Sequence, residues 1–316
     1  MGVRQAFLFA LAGAVLAFGD EAQPRTFPGT RAKLRIPEGF VQREGLPILV
    51  SESHGAILSA LEGIAPDPKD VLRTIEEAAF AGQDILERKE LKVSGHAARL
   101  LKLQTRPATP NRTIWALIAC EKARMLTVQV GVDGAGEDAL GKALQAMLSS
   151  AEWDLAAPAD VGSIVDAEVA VPEGLSAIAT FLSRDKSGAG VEFASGLLET
   201  GMRDPAAVQW TVQRFPTQTK PSQLEGECRA RLWENHAASK AEELVSHAVE
   251  VAGCAGWEIE ARDKRGSGKP AKVWHQLVIL RTPTALMHFQ GSAPVADSDK
   301  WLPKFREAAR SWKPRK

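Results

Sequence analysis

The sequence predicts an α+β protein made of two tandem domains, each an antiparallel sheet packed between or against helices. Three observations predict it. Leu91-Lys92-Val93-Ser94-Gly95 returns as Val249-Glu250-Val251-Ala252-Gly253, and Ile114-Trp115 returns as Val273-Trp274. Trp153 and Trp312 each close a copy, 38 residues after the earlier Trp, and Ile36-Pro37-Glu38-Gly39-Phe40 is echoed by Val171-Pro172-Glu173-Gly174-Leu175. A pattern that recurs along a chain marks copies of one structural unit. Within each copy the strand-like segments are joined by short turns, which impose antiparallel pairing because parallel strands need long crossovers. A chain of 316 residues suits about two domains.

Composition narrows the class. Lys plus Arg (39) equals Asp plus Glu (39), so the chain lacks the basic field of a nucleic-acid or membrane-surface binder. Arg4 precedes an apolar run, Ala6 to Phe18, of 13 residues. A membrane span needs about 20, so residues 1–22 read as a secretory signal, with no membrane span after cleavage. The expected location is periplasmic or secreted. Domain 1 is then 23–154, a linker runs over 155–163, and domain 2 is 164–316. Three cysteines are too few for a disulfide scaffold and fit no zinc spacing. Cys228 and Cys254, both in the second copy, form a candidate disulfide, and Cys120 is expected as a buried thiol.

In chain order, Leu34-Arg35-Ile36 is a strand that stops at the Pro37-Glu38-Gly39 turn. Pro47 to Val50 is a second strand candidate. Asp67-Pro68 opens a helix whose apolar face is Val71, Leu72, Ile75, Ala78 and Ala79, ended by Gly82. Glu90 to Val93, Ala98 to Leu103, Thr113 to Cys120 and Leu126 to Val132 are strands of an antiparallel meander. Arg106 to Asn111 is a turn-rich connection. Glu137 to Ala151 carries Leu140, Ala143, Leu144, Met147 and Leu148 at helical spacing. The second copy is longer between Gly174 and Gly253, with the extra material around Val191 to Gly226. There Val208 to Phe215 reads as an added or lengthened strand. Ser222 to Glu225 and Ser239 to Glu242 both carry capping-box patterns, so one or two helices are expected. Val273 to Leu280 and Ala285 to Gln290 form a long hairpin. Trp301, Leu302, Phe305 and Ala309 stripe a final helix.

These residues resemble the PsbP/DcrB-like fold. The resemblance rests on Leu34 to Phe40, Val93 to Ala98, Thr113 to Val132 and Ser150 to Trp153 in the first copy. In the second it rests on Val169 to Leu175, Val251 to Gly256, Val273 to Gln290 and Ser311-Trp312. It implies an antiparallel sheet between helices. It also implies a role in binding other proteins, as in a photosystem extrinsic subunit, a Ran-binding import factor, secretion-effector chaperones and small envelope proteins. The family shares no catalytic residues, so none is carried over.

No stretch carries catalytic, cofactor or metal chemistry on its own. Gly131 to Gly136 imitates a dinucleotide loop but lies late in a meander, outside a βαβ unit. Gly266-Ser267-Gly268-Lys269 imitates the end of a P-loop, but Pro270 replaces the metal-binding hydroxyl. His275 and His288 sit on two arms of one hairpin. One register puts them on one face, and a one-residue slip separates them. No serine sits in a nucleophile elbow, and no cofactor is implied. Trp210, Trp233, Trp257 and Trp301 have no counterparts in the first copy, and aromatic residues concentrate at binding hot spots. These four, together with the longer segment Val191 to Gly226, are the expected partner-facing surface. The sequence therefore predicts a non-catalytic extracytoplasmic accessory protein that binds another envelope protein. The alternative is a small-ligand-binding protein, or an envelope enzyme, using a cleft between the domains.

Overall fold

The structure, a computed structural model, describes residues 24–43, 46, 48–64, 71–105, 112–122, 124–157, 162–182, 188–194, 206–215, 217–234, 241–263 and 271–315. The first domain contains β1 (Val41–Gln42), β2 (Ile48–Ser51), β3 (Ala56–Ile64), α1 (Val71–Ala79), β4 (Gln83–Val93), β5 (His96–Thr105), β6 (Arg112–Glu121), β7 (Arg124–Asp133) and α2 (Gly134–Ser149). The second contains β8 (Ser176–Leu182), β9 (Gly188–Ala194), β10 (Ala207–Arg214), α3 (Leu224–Glu234), β11 (Ala241–Val251), β12 (Cys254–Asp263), β13 (Lys272–Thr282), β14 (Ala285–Pro294) and α4 (Ser298–Arg310). Each forms a seven-stranded antiparallel sheet. Their orders are β1-β2-β3-β7-β6-β5-β4 and β8-β9-β10-β14-β13-β12-β11. Adding seven to every label of the first order gives the second, so the chain is a structural duplication.

The repeated motifs mark turns. Ser94-Gly95 and Ala252-Gly253 both take positive φ (49° and 88°, 52° and 79°) and join β4 to β5 and β11 to β12. Two successive left-handed residues make the type I′ hairpin turn, whose twist matches the flanking strands. That requirement explains why this stretch is the strongest echo in the sequence.

Each sheet lies between two helical layers. In domain 1, α2 buries Leu140, Leu144, Met147 and Leu148 on the inner face with Leu58, Val128 and Trp153. The outer face takes Ile75 of α1 with Phe80, Leu101, Leu103 and Ile118. In domain 2, α4 buries Trp301, Phe305, Ala308 and Ala309 on the inner face, and α3 buries Leu224, Cys228 and Leu232 on the outer one. Both terminal helices end on a serine that bonds back. Ser150 Oγ donates to Met147 O (2.9 Å) and Ser311 Oγ to Ala308 O (2.6 Å).

Several expectations change. Ala56–Ile64 is a full strand that the sequence reading passes over, and its counterpart is β10. The segment Val208 to Phe215 is therefore part of the common fold, not an addition. Ala241–Val251 is strand, so the capping-box pattern at Ser239 to Glu242 starts no second helix there. The echo of Ile114-Trp115 in Val273-Trp274 is out of step by one residue. Lys102 pairs with Trp115 as Glu260 pairs with His275, so the sheet counterpart of Trp115 is His275. Trp274 points to the opposite face and packs with Leu224 and Cys228 beneath α3. Successive strand residues face opposite sides, so a one-residue offset reverses the environment. The Asp67-Pro68 helix start, Arg106 to Asn111 and the Gly266 to Pro270 turn lie outside the described residues, as does the signal segment.

The domains meet along β3. Its Ile48-side neighbour β2 ends early, leaving the Ala60–Ile64 stretch without a strand partner on that edge. Thr180 of β8 fills it: Thr180 Oγ1 accepts from Glu62 N (2.9 Å) and donates to Glu62 O (3.3 Å). Leu46 and Ile48 join the buried cluster of domain 2, beside Ile164, Ala189 and Val191.

Candidate ligand pocket and buried carboxylate cluster

The four Trp residues singled out from the sequence do not share a surface. Trp210 is fully buried and meets Phe289 edge-on (4.7 Å between ring centroids), because β10 is central and its inner face is core. Trp301 is buried against Phe305 beneath Lys300 and Lys304. Both readings as partner-facing residues are corrected. Trp257 is half-buried on the outer face, its Nε1 donating to Ser246 Oγ (3.1 Å). The Trp233 side chain lies outside the described residues. The candidate disulfide is also corrected: Cys228 and Cys254 are free. Cys228 packs on the outer face under α3 and Cys254 against the inner-face core, so the sheet separates them. Cys120 is the half-buried thiol the sequence predicts, with burial pushing it up to about 12.

His275 and His288 occupy opposite faces. His288 pairs with Val278, three residues from His275, and an odd offset reverses the side. Each belongs to a different polar cluster.

His288 lies in a cavity of about 190 Å³ on the outer face of the second sheet. Phe181, Gly188, Gln209, Thr211, Gln213, Arg231, Gln276, His288 and Gln290 line it. Strand register builds it. Gln209, Gln290 and Gln276 stand side by side across β10, β14 and β13, and Thr211 and His288 form the next row. Phe181 of β8 packs against Gly190, where a Cβ would come within 2.3 Å of the ring. From α3, Arg231 donates to Gln213 Oε1. His288 is only 5% exposed, and among the described residues neither of its ring nitrogens has a hydrogen-bond partner. Gln276 Oε1 is likewise buried and unpartnered. Burial, reinforced by the Arg231 charge, lowers the His288 pKa to about 3, so its ring is neutral.

The first domain keeps only part of this strip, with Gln129 where Gln290 stands and Ser59 where Gln209 stands. Register places Leu61 where Thr211 stands, Thr127 where His288 stands and Ala116 where Gln276 stands. The common fold therefore does not require these polar groups.

The neutral His288 has a measurable consequence. The unfolded chain takes up a proton near pH 6.5 that the folded ring refuses until about pH 3. The stability tied to this burial is thus lost progressively as pH falls through that window. In histidine-labelled protein, the ring nitrogens of His288 are expected to keep neutral-imidazole shifts at pH 5. An imidazolium signal there, with the protein still folded, contradicts the burial.

His275 belongs to the inner-face cluster. Glu258 and Glu260 project from β12, and His275 stands opposite Glu260 on β13. Its Nδ1 is 3.3 Å from Glu260 Oε1 and its Nε2 3.2 Å from Glu258 Oε1. From α4, Arg306 grips both oxygens of Glu260 (Nη2 to Oε2 2.8 Å), and Arg310 Nη2 donates to Glu258 Oε2 (2.7 Å). Burial by itself raises the Glu260 carboxyl, but bonds from His275 and Arg306 outweigh it and hold the group at about 2. The three side chains bring ligand-type atoms within 4.8 Å of one another. The His275 Nδ1 bonds Glu260, whereas Nε2 and Glu258 Oε1 come close without forming a hydrogen bond, and each carboxylate also takes a guanidinium. Both carboxylates are thus engaged by guanidinium groups that pin α4 to the sheet.

Sequence reasoning missed the pocket. Its one signal was Gln209-x-Thr211-x-Gln213, an alternating polar stripe in a strand of Val208, Trp210 and Val212.

No family profile matches this chain, and neither does any curated protein. Solved structures do. The cyanobacterial PsbP protein from Synechocystis sp. PCC 6803 is 16% identical, covering 46% of this chain and 95% of its own, with a TM-score of 0.32. LpqN of Mycobacterium tuberculosis, involved in cell envelope biogenesis, is 11% identical over 47% and 83%, with a TM-score of 0.34. The immunity protein TplEi of Pseudomonas aeruginosa is 10% identical over 91% and 96%, with a TM-score of 0.33. These likenesses concern fold only. The first two span about one repeat of this chain and the third spans both. The duplication itself rests on the matching strand orders of the two domains.

Proposed function

We propose that this chain is a non-catalytic extracytoplasmic binding protein whose second domain takes a small polar ligand in the pocket around His288. The observation that carries the reading is a set of buried polar atoms without partners among the described residues, His288 Nδ1 and Nε2 and Gln276 Oε1, on side chains that line one cavity. A buried polar group left unpaired costs about 1–3 kcal/mol, so a ligand or ordered water that pairs all three offsets that cost on binding. In this reading the first domain is the support: it keeps the sheet and helices, carries Leu61, Thr127 and Ala116 where Thr211, His288 and Gln276 stand, and docks on β8 beside the pocket wall. The ligand site lies within one domain, not in a cleft between two. Extracytoplasmic placement follows from the apolar run Ala6 to Phe18. Among the described residues no helix is long and apolar enough to cross a membrane.

The test is thermal unfolding of the full chain with a panel of small neutral, anionic and cationic solutes, beside Thr211→Leu. That variant installs the residue domain 1 carries and is expected to fold. At least one solute class is expected to raise the melting temperature of the wild type and not of the variant. Equal shifts in both, or none in either, overturn the pocket as a binding site.

A further inference from the structure

Resting on that reading, we infer that the ligand is a neutral polyhydroxyl molecule of single-ring size, a monosaccharide unit. The argument proceeds by the chemistry of the wall. Among the described lining residues none is acidic, and Arg231 reaches in from α3, so a cation finds no counter-charge. Glu192 stands beside Gln209 in the same cross-strand row but is not among the lining residues, and burial raises its carboxyl. An anion would have Arg231 as its one charged partner, and that guanidinium already donates to Gln213. An apolar ligand would leave His288 and Gln276 unpaired, which the cost of burying them disfavours.

What remains is a ligand whose groups both donate and accept. The wall offers that pattern repeatedly. Four primary amides (Gln209, Gln213, Gln276, Gln290), the Thr211 hydroxyl and a neutral imidazole each combine, or set side by side, a donor and an acceptor. A hydroxyl answers such a surface with one atom that does both. The Phe181 ring, packed against Gly190, supplies an apolar wall for the C–H groups of a sugar ring. Size agrees. The cavity of about 190 Å³ is below the ~300–1,000 Å³ of sites for drug-sized ligands, so it fits one small unit. Adjacent amides in the row lie about 5 Å apart from strand to strand, so neighbouring pairs can reach hydroxyls of one ring.

A free sugar and the end residue of a glycan share this chemistry. The experiment is a titration of the full chain followed by the His288 ring nitrogens and the glutamine side-chain amides. The probes are methyl glucoside, N-acetylglucosamine, an N-acetylglucosamine disaccharide, acetate, phosphate and glycinamide. The expected result is saturable movement of His288 and Gln276 signals with at least one of the three sugars. Thr211→Leu and His288→Thr are each expected to weaken it tenfold or more. Tighter binding of the disaccharide identifies a glycan end, and equal or tighter binding of a monosaccharide identifies a free sugar. Movement with acetate, phosphate or glycinamide and not with sugars overturns the ligand class while leaving the pocket reading standing. If no probe moves these signals, both fall.

Discussion

Trp210→Ala is expected to lower the free energy of unfolding by about 3–5 kcal/mol, the cost typical of emptying a large buried aromatic site. Trp210 is fully buried, crosses Phe289 edge-on, and sits on the third strand of seven, where no flank opens to solvent. Trp257→Ala is expected to cost far less, because that ring is half-exposed and holds one side-chain bond, to Ser246. Urea unfolding followed by circular dichroism compares the two. A loss at Trp210 below about 1 kcal/mol would mean that its side chain is not core, and the partner-facing reading of the unmatched tryptophans would return.

Glu260→Gln is expected to flatten the acid limb of the stability curve. The wild-type carboxyl titrates near 2 when folded, against 4.5 for an unperturbed group. The unfolded chain therefore binds this proton first, and stability present above about pH 4.5 drains away as pH falls towards 2. A shift of that size corresponds to at most about 3 kcal/mol, the figure being an upper bound because Arg306 is half in water and its attraction is screened. At neutral pH the variant is expected to be less stable by a similar amount, since His275 keeps its burial and loses its charged partner. Unfolding curves at pH 7, 4.5 and 3 decide it. If wild type and variant lose stability in parallel below pH 4.5, Glu260 is not the titrating group.

The first prediction concerns a residue whose role the sequence reading placed elsewhere, and the second a partner of His275, which it also misplaced, for one reason. Trp210 was noticed because it lacked a counterpart, yet lacking a counterpart says nothing about which face of a strand a residue takes. His275 was matched with nothing, because the sequence echo aligned Trp274 with Trp115. The sheet aligns His275 with Trp115 instead. In that swap Trp115, Leu100 and Lys102 become His275, Glu258 and Glu260, and an apolar inner face becomes an ion-pair network. The network depends on Arg306 and Arg310 arriving from α4, nearly fifty residues further along the chain.

The sequence by itself determined the duplication, the antiparallel meander in each half, the terminal helices and the closing Trp153 and Trp312. All of these are local: a turn that needs two left-handed residues, a 3.6-residue stripe, an alternation of period two. Tertiary structure alone decided the pocket. Gln209, Thr211 and Gln213 alternate with apolar residues as the solvated face of any edge strand does. Only the pairing of β10 with both β9 and β14 makes that strand central and carries its polar face under Phe181 and Arg231. Periodicity tells which residues share a face, but what covers that face depends on contacts between residues distant in sequence.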